Sequence, residues 1–173
     1  MFHRTSFLGI AVALSLLTAS ARGDETYQSP DGLFSFTMPA EPKESSETVQ
    51  GNKMTFQIHQ TAVGVCMVTI MDLPPEAAAE TADELQKRLE GGVQKFADSV
   101  AGKVLESKKF TFAGKYPARE FRISANPGGM EGSGRGRMYA AKGRLVQLFV
   151  LGETKWVDAA EQKPFLDSLK LVD

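Results

Sequence analysis

Arginine side chains form the most suggestive chemical group in this sequence. Arg122 lies on one predicted strand, and Arg135 and Arg137 lie on the next, followed by Tyr139. A guanidinium group binds a carboxylate or a phosphate through two parallel hydrogen bonds. Arg135 and Arg137 have the same parity, so they share one face of a strand. These four residues are the candidate contacts for an anion or a partner protein. The alternative is that the arginines form salt bridges across the sheet.

Other arginines cannot all join this group. Arg119 and Arg122 have opposite parity, so a regular strand points them to different faces of the sheet. Arg144 lies on a further predicted strand, and Tyr116 lies near the start of the strand that carries Arg119. The sequence therefore predicts at most a local basic patch.

Metal binding and nucleophilic catalysis find little support. His59 is the one histidine left after removal of an N-terminal signal, and no second histidine or cysteine stands at a ligand spacing from it. A zinc site needs three or four ligands, and calcium loops need alternating oxygens that this sequence lacks. Cys66 is the one cysteine, and its apolar neighbours predict a buried thiol rather than a nucleophile or an intermolecular disulfide. No catalytic residue, metal or cofactor is predicted, and the chain is predicted not to be an enzyme.

Residues 128–136 are rich in glycine, which invites comparison with a phosphate-binding loop. The stretch lacks a Gly-Lys-Ser/Thr ending and leads into a predicted strand rather than a helix. We therefore interpret it as a flexible connection between two strands. No serine stands in a Gly-x-Ser-x-Gly elbow, and a carboxylate pair such as Glu120 with Glu131 depends on a distance that sequence does not give.

Alternating apolar and polar residues predict the strands that must position these groups. In one of them Met54, Phe56 and Ile58 alternate with Thr55, Gln57 and His59, which predicts one apolar, buried face. Lys142 and Gly143 are expected to form a tight turn between the last two strands. The predicted strands are 33–38, an edge strand at 43–49, 54–59, 65–71, 104–113, 116–125, 135–141 and 144–152.

Two helices complete the predicted secondary structure. The first begins at Thr81 or Asp83, either of which can cap a helix, and residues 77–79 are a candidate backward extension. Its apolar positions recur every three or four residues, at Leu85, Leu89, Val93, Phe96 and Val100. The closing helix begins near Trp156, with Asp158 and Glu161 spaced as a capping box and Pro164 as a break or restart. This order predicts an α+β fold with an antiparallel sheet flanked by helices.

The N-terminus has the pattern of a secretory signal peptide. A weakly basic start is followed by an apolar run at residues 7–17, and Ala19-Ser20-Ala21 offers small side chains for cleavage after Ala21. Cleavage after Gly23 fits almost as well. The alternative, an uncleaved anchor, needs about 20 apolar residues. No cysteine near the site would carry a lipid, so we expect a free secreted or periplasmic protein with no stable membrane anchor.

Length and composition suit one folded domain. Hydrophobic residues make up 42% and charged residues 24% of the chain, as in ordinary globular proteins. We predict a signal at 1–21, a loose segment at 22–32 and a single domain at 33–173. The net charge of −1 gives no general reason to bind nucleic acid or an anionic membrane.

Short motifs along residues 28–172 resemble the PsbP-like class of small exported bacterial domains. The motifs are 33–36 running to Pro39, Leu73-Pro74, 117–121, 137–139, 144–148 and 165–169. The PsbP subunit of photosystem II and a eukaryotic Ran-binding import factor share that fold. The resemblance implies an α/β/α sandwich and a non-catalytic binding or accessory domain, and we carry over no photosystem role.

Three hypotheses about function follow. The leading one is a binding or accessory module whose ligand is another protein or an envelope component outside the cytoplasm. The second is a small-molecule or lipid carrier, which requires an apolar cavity near Met67, Met71 and Phe96. The third is an unrecognised enzyme, which requires a cleft with His59 or a carboxylate pair of perturbed pKa. The sequence does not predict the oligomeric state.

Overall fold

The computed structural model describes residues 25–49, 52–126 and 131–172. The predicted signal with Ala21 and Gly23, and residues 128–130 of the glycine-rich stretch, lie outside this part of the chain. The described strands are β1 (Glu25–Gln28), β2 (Phe34–Met38), β3 (Lys43–Val49), β4 (Asn52–Gln60), β5 (Gly64–Asp72), β6 (Val104–Phe112), β7 (Tyr116–Ala125), β8 (Gly132–Ala141), β9 (Arg144–Gly152) and β10 (Lys170–Leu171). The helices are α1 (Ala82–Ser99), α2 (Thr154–Val157) and α3 (Lys163–Leu166), with 3₁₀ turns at Pro75–Ala79 and Ala160–Gln162.

Seven strands form one antiparallel sheet in the order β3-β4-β5-β9-β8-β7-β6. Strands that follow each other in sequence pair as hairpins, and the pairing of β5 with β9 joins the two halves. Lys142 and Gly143 connect β8 to β9 with φ values of 50° and 74°, as a tight hairpin turn requires. The predicted turn and the predicted α+β fold with an antiparallel sheet are both confirmed.

Helix α1 covers one face of the sheet, where it packs on β6, β7 and β8. Its N-terminus is a capping box: Thr81 Oγ1 accepts a hydrogen bond from the Glu84 backbone N–H, and the Glu84 carboxylate accepts one from the Thr81 N–H. This confirms Thr81 as the cap. Residues 77–79 belong instead to a separate 3₁₀ turn. The apolar stripe buries Leu89 and Val93 against Phe121 and other side chains of these strands.

The opposite face of the sheet is covered by a second, mixed layer. This layer contains the small sheet β1-β2-β10 together with α2 and α3. Phe34 and Phe36 of β2 and Phe165 of α3 are buried against side chains of the large sheet such as Val68 and Leu148. No helix in the described part of the chain is long and apolar enough to cross a membrane.

Both ends of the described chain differ from the prediction. Residues 25–28, expected to be loose, form β1, where Tyr27 opposes Phe36. Their polar sequence lacks an apolar alternation because an edge strand is held mainly by its backbone hydrogen bonds. The closing helix is also not continuous: it divides into α2, a 3₁₀ turn and α3, with Pro164 in the first turn of α3. No side chain caps these short elements, so the predicted capping box is wrong.

Strand β4 has the predicted alternation but the opposite sidedness. Thr55 and Gln57 are 8% and 5% exposed, whereas Met54, Phe56 and Ile58 are only half-buried. The polar side chains point toward the second layer, on the same face as Cys66 and Val68 of β5. Sequence pattern separates the two faces of a strand, but it does not say which face the fold covers.

Gly132 and Gly134 lie inside β8, so the prediction of a flexible connection is wrong for these residues, whereas Gly136 lies in a strand as predicted. A Cβ on Gly136 would come within 2.6 Å of the Phe121 ring and of the Phe149 Cβ atom. Glycine is needed here because two bulky neighbours close over the strand from β7 and β9. Close packing, rather than flexibility, explains this glycine.

Candidate functional site

The structure brings the three candidate arginines together on the sheet face opposite α1. Arg122 opposes Arg135, and Glu120 opposes Arg137, across the β7–β8 pairing. A surface cleft of about 330 Å³ is lined by Arg122 and Arg135 together with Glu106, Lys108 and Glu120. The expectation that Arg135 and Arg137 share a face is therefore confirmed.

Each of these arginines already has a carboxylate partner. Arg122 Nη2 lies 2.5 Å from Asp158 Oδ2, and Arg135 Nη2 lies 3.2 Å from Glu120 Oε1. Arg137 contacts Glu120 Oε2 at 3.3 Å and Asp167 Oδ1 at 2.5 Å. Asp158 and Asp167 come from the C-terminal segment, which the sequence did not connect with this patch. An incoming anion would have to compete with these carboxylates.

Tyr139 lies beneath this patch and not on its surface. Its side chain is 2% exposed, and its ring packs against Phe110 and Phe112 with centroid distances of 5.9 and 4.9 Å. Burial raises the pKa of the phenol to about 12. The proposed contact role of Tyr139 does not fit this position, because a partner would not reach the ring.

Arg119 lies on the other face, as its parity predicted. It is 7% exposed beneath α1, where it donates hydrogen bonds to Ser107 Oγ at 3.0 Å and Glu90 Oε2 at 3.4 Å. Arg144 is also separate, because it pairs with Asp31 and Asp72 at the start of β9. Both arginines have structural partners within the chain.

Cys66 is buried, as predicted. It has no exposed surface, and its thiol points toward Gln162 Oε1 at 3.7 Å. Burial raises the pKa of this thiol to about 12, so the thiolate needed for nucleophilic attack is scarce at neutral pH. His59 opposes Cys66 across the β4–β5 pair. Among the described residues, no three His, Cys, Asp or Glu side chains come together in a set that could hold a metal.

The region proposed for a carrier cavity is filled by aromatic side chains. The Phe96 ring lies 5.7 Å from that of Phe121 and 4.6 Å from that of Phe149, measured between ring centroids. Met67 packs against the edge of this cluster. These contacts disfavour the internal cavity that the second hypothesis requires.

A different feature emerges on the face that carries α1. Met54, Phe56 and Ile58 of β4 and Met67 and Met71 of β5 share this face, and we call these five residues the methionine surface. Met54 opposes Met71 and Ile58 opposes Met67 in the strand register. All five are half-buried, and all except Met67 lie outside both core clusters. They surround Thr69 of β5, which opposes Phe56 and is 5% exposed, so the apolar area contains one buried polar side chain.

The methionine surface lies between α1 and the edge of the sheet. Helix α1 packs mainly on β6, β7 and β8 and reaches Phe149 of β9 through Phe96, so β4 and the part of β5 beyond Met67 lie beside the helix rather than beneath it. On the other side, Lys43, Ser45 and Glu47 of β3 oppose Ile58, Phe56 and Met54 and border the surface with polar groups. Apolar areas of this kind, with a polar rim, are typical of binding sites for other proteins.

Sequence reasoning missed this surface because it interpreted the same alternation as a core-facing strand. The one available signal was a shortage of covering elements: one long helix cannot span a sheet of this many strands. A helix is about 10 Å wide, whereas seven strands extend over about 29 Å.

Solved structures of other proteins match the fold of this chain over most of its length. The solution structure of cyanobacterial PsbP from Synechocystis sp. PCC 6803 matches with a TM-score of 0.59 and 12% identity, covering 97% of this chain and 98% of that chain. A crystal structure of a protein of unknown function from Pseudomonas aeruginosa matches with a TM-score of 0.43 and 11% identity, covering 82% and 89% of the two chains. No protein-family model and no curated protein matches the sequence.

The chain therefore has a PsbP-like fold, as the sequence motifs implied. At 12% identity the likeness extends to the fold alone, because one fold can host unrelated functions. Function must be argued from the surfaces of this chain.

Proposed function

We propose that this chain is an exported, non-catalytic binding module that receives an apolar helical segment of another protein on the methionine surface. The observation that carries the proposal is the open half of the sheet face: five half-buried apolar side chains, of which only Met67 packs against the cluster beneath α1. Burial of apolar area supplies the main driving force for association.

The dimensions of the open area favour a helix as its occupant. The distance from β3 to β9 is three strand spacings, about 14 Å, and a helix with side chains is about 10 Å across. One helix already covers the other half of the same face through Leu89 and Val93. A second helix beside α1 would complete that layer with the same kind of packing.

The composition of the surface suits binding to partner segments that differ in sequence. Three of its five residues are methionines, whose unbranched, polarisable side chains adapt to differently shaped partners. The rim of Lys43, Ser45 and Glu47 is polar and carries both signs of charge. A partner helix with an apolar stripe, and with both positive and negative charges on its polar face, would complement this surface.

The state of the chemically reactive groups supports a non-catalytic role. The thiol of Cys66 is buried and protonated, and Arg122, Arg135 and Arg137 are held by carboxylates. The shifted carboxyl groups have ion-pair or cap partners: Asp31 contacts Arg144, Glu80 contacts Arg88, and Asp167 contacts Arg137. Ion pairs of this kind account for such shifts without a reaction.

Export belongs to the same proposal and rests on the N-terminal signal pattern. We propose a secreted or periplasmic location and a processed chain that begins after Ala21 or after Gly23. Intact-mass measurement and N-terminal sequencing of the protein recovered from envelope and culture fractions test this. Recovery of the unprocessed chain in the cytoplasm would contradict it.

A direct test uses a synthetic amphipathic peptide of leucine, lysine and glutamate, with one apolar stripe and a fluorescent label. Binding is measured by fluorescence anisotropy, with a scrambled peptide of the same composition as the reference. We expect the protein to bind the amphipathic peptide and not the scrambled one. Phe56→Glu, which places a charge in the middle of the surface, is expected to weaken binding by at least about tenfold.

Leu105→Glu is the matched control, because Leu105 is 60% exposed on β6, away from the methionine surface. Thermal unfolding of both variants verifies that each still folds. The proposal fails if the peptide does not bind, or if Phe56→Glu and Leu105→Glu weaken binding equally. Phe56-dependent binding to lipid vesicles without binding to the peptide would contradict a protein partner.

A further inference from the structure

The outer edge of β3 carries opposite charges in a self-complementary order. β3 occupies one end of the large sheet and pairs with β4 on one side only. Residues 43–48 are exposed along its length. Lys43, Ser45 and Glu47 lie on the face of the methionine surface, so a positive and a negative charge stand at equal distances on either side of Ser45.

We propose that two copies of this chain associate through antiparallel pairing of their β3 strands, in a register centred on Ser45. Such pairing places residues of the same face opposite one another. With Ser45 opposite its own copy, Lys43 of each chain lies opposite Glu47 of the other. The two-fold symmetry therefore forms this pair of opposite charges twice.

Neighbouring registers do not offer this match. Centring the pair on Glu47 places two carboxylates opposite each other, and centring it on Lys43 places two ammonium groups opposite each other. Centring it on Ser46 moves Glu47 opposite Ser45 and leaves Lys43 without a carboxylate. Because like charges directly opposite are destabilising and opposite charges are stabilising, the charge order selects the register centred on Ser45.

The two charged residues are available for a partner. Within the described part of the chain, neither Lys43 nor Glu47 makes an ion pair. Glu44, on the other face, differs because it accepts a hydrogen bond from Gln57 Nε2 at 3.2 Å. Charged side chains usually protect an edge strand from pairing with another strand. Lys43 and Glu47 give that protection only in registers that place each of them opposite a side chain of the same charge.

The opposite edge of the sheet lacks this arrangement. On β6, Lys108 contacts Glu106 of the same strand, so these charges satisfy each other within one chain. The pairing of β6 with β7 also shifts between Val104 and Glu106. A bulge of this kind twists an edge away from regular pairing. The comparison singles out β3 as the edge suited to a second copy.

Pairing through β3 would join the two open areas. The symmetry axis would stand perpendicular to the sheet, so both methionine surfaces would lie on the same side, next to each other. The two α1 helices would stand at the outer limits of this joint area. The dimer would therefore present one apolar trough with a helix as each wall, although the pairing itself rests on β3 and not on the proposed function.

Disulfide trapping tests the register directly. Ser45→Cys places two thiols at the symmetry axis, where the Cα separation of directly opposed residues, about 4.5–5.5 Å, permits a disulfide. Ser46→Cys is the matched control, because Ser46 would oppose Glu44 on the other face. Cys66 is buried and does not interfere. Mild oxidation is expected to give a covalent dimer with Ser45→Cys and not with Ser46→Cys.

Charge reversal tests the energetic argument. Sedimentation velocity over a range of concentrations is expected to show a reversible dimer of the unmodified protein. Glu47→Lys creates two like-charged contacts and is expected to weaken association by at least about tenfold. Lys43→Glu should act likewise, and the double variant Lys43→Glu/Glu47→Lys should restore the dimer.

A monomer at all concentrations would overturn the proposal, as would equal cross-linking of Ser45→Cys and Ser46→Cys. If the double variant does not recover dimerisation, the proposed register centred on Ser45 is wrong. Peptide binding by the unmodified protein, diluted to a concentration at which it is monomeric, separates the two proposals, because no residue of the methionine surface or of its rim is changed. A failed dimer with retained peptide binding overturns only the β3 pairing.

Discussion

One face of the large sheet has two halves with similar side chains and different surroundings. Beneath α1, Phe121 and Ile123 of β7 are 1% and 0% exposed, whereas Phe56 and Ile58 of β4 are only half-buried. The strands of both halves alternate in the same way. The difference lies in the width of one covering helix, which is smaller than the width of the sheet. An amphipathic strand therefore becomes core or binding surface according to what packs on it.

The largest expected effect comes from removing an equivalent ring from each half. Phe121→Ala is expected to lower the free energy of unfolding by about 3–5 kcal/mol, because a fully buried aromatic side chain leaves a cavity. Phe56→Ala should cost less than about half of that, because water already reaches the ring. Urea denaturation of both variants checks this. Equal losses would mean that the open half is covered in solution.

A second, smaller effect concerns Gly136, which has no side chain and so leaves room for the Phe121 and Phe149 side chains. Gly136→Ala would place a Cβ 2.6 Å from the Phe121 ring and 2.7 Å from the Leu148 carbonyl oxygen. We expect a destabilisation of about 1–3 kcal/mol from overpacking. Gly91→Ala is the matched control, because a Cβ there meets no atom within 4 Å on α1. That substitution should stabilise the helix by about 0.5–1 kcal/mol, and thermal unfolding compares the two.

The N-cap of α1 stabilises the helix that covers one half of the sheet face. Thr81→Ala removes the side chain that accepts the Glu84 N–H and should cost about 1 kcal/mol. Thr81→Ser keeps the hydroxyl and should retain most of that stability. Hydrogen exchange of the first turn of α1 provides the measurement. An unchanged exchange rate in Thr81→Ala would show that packing alone holds the helix start.

The smallest effect belongs to the ion pairs of the other face. Partial burial raises the pKa of the Asp167 carboxyl, but Lys163 and Arg137 outweigh it and hold this pKa below its usual value. The resulting stability is present above the unfolded-state pKa and is lost as pH falls through the folded-state pKa. It amounts to at most about 1 kcal/mol for such partly exposed pairs.

Denaturation of the unmodified protein and Asp167→Asn between pH 7 and pH 2 measures this contribution. The difference between the two proteins should shrink as the solution becomes acidic. A constant difference over that range would show that the ion pairs of Asp167 do not contribute to stability.

Local patterns predicted much of the fold. The apolar spacing of α1, Thr81 as one of two candidate caps, and the turn at Lys142 and Gly143 were all identified from neighbouring residues. Each depends on interactions within a few positions along the chain. The short motifs of the PsbP-like class agreed with the fold for the same reason, because they mark strands and turns.

Features that depend on distant partners could not be predicted in the same way. Asp158 is paired with Arg122, 36 residues earlier in the sequence. β10 has two residues and pairs with β2 from the other end of the chain. Gly136 belonged both to the glycine-rich stretch and to a predicted strand, and the reason for a glycine there lies in Phe121 of β7 and Phe149 of β9. None of these relations leaves a local pattern.

Local sequence was enough to indicate the α+β class, the apolar stripe of α1 and the alternation of β4, because backbone periodicity acts over a few neighbouring residues. Tertiary structure alone decided that Thr55 and Gln57 face inward and that Phe56 and its neighbours remain open. The physical reason is that burial is a property of two surfaces in contact, and one strand encodes only its own. The methionine surface and the charged edge of β3 lie beyond the part of the sheet that α1 covers, which extends from β6 to Phe149 of β9.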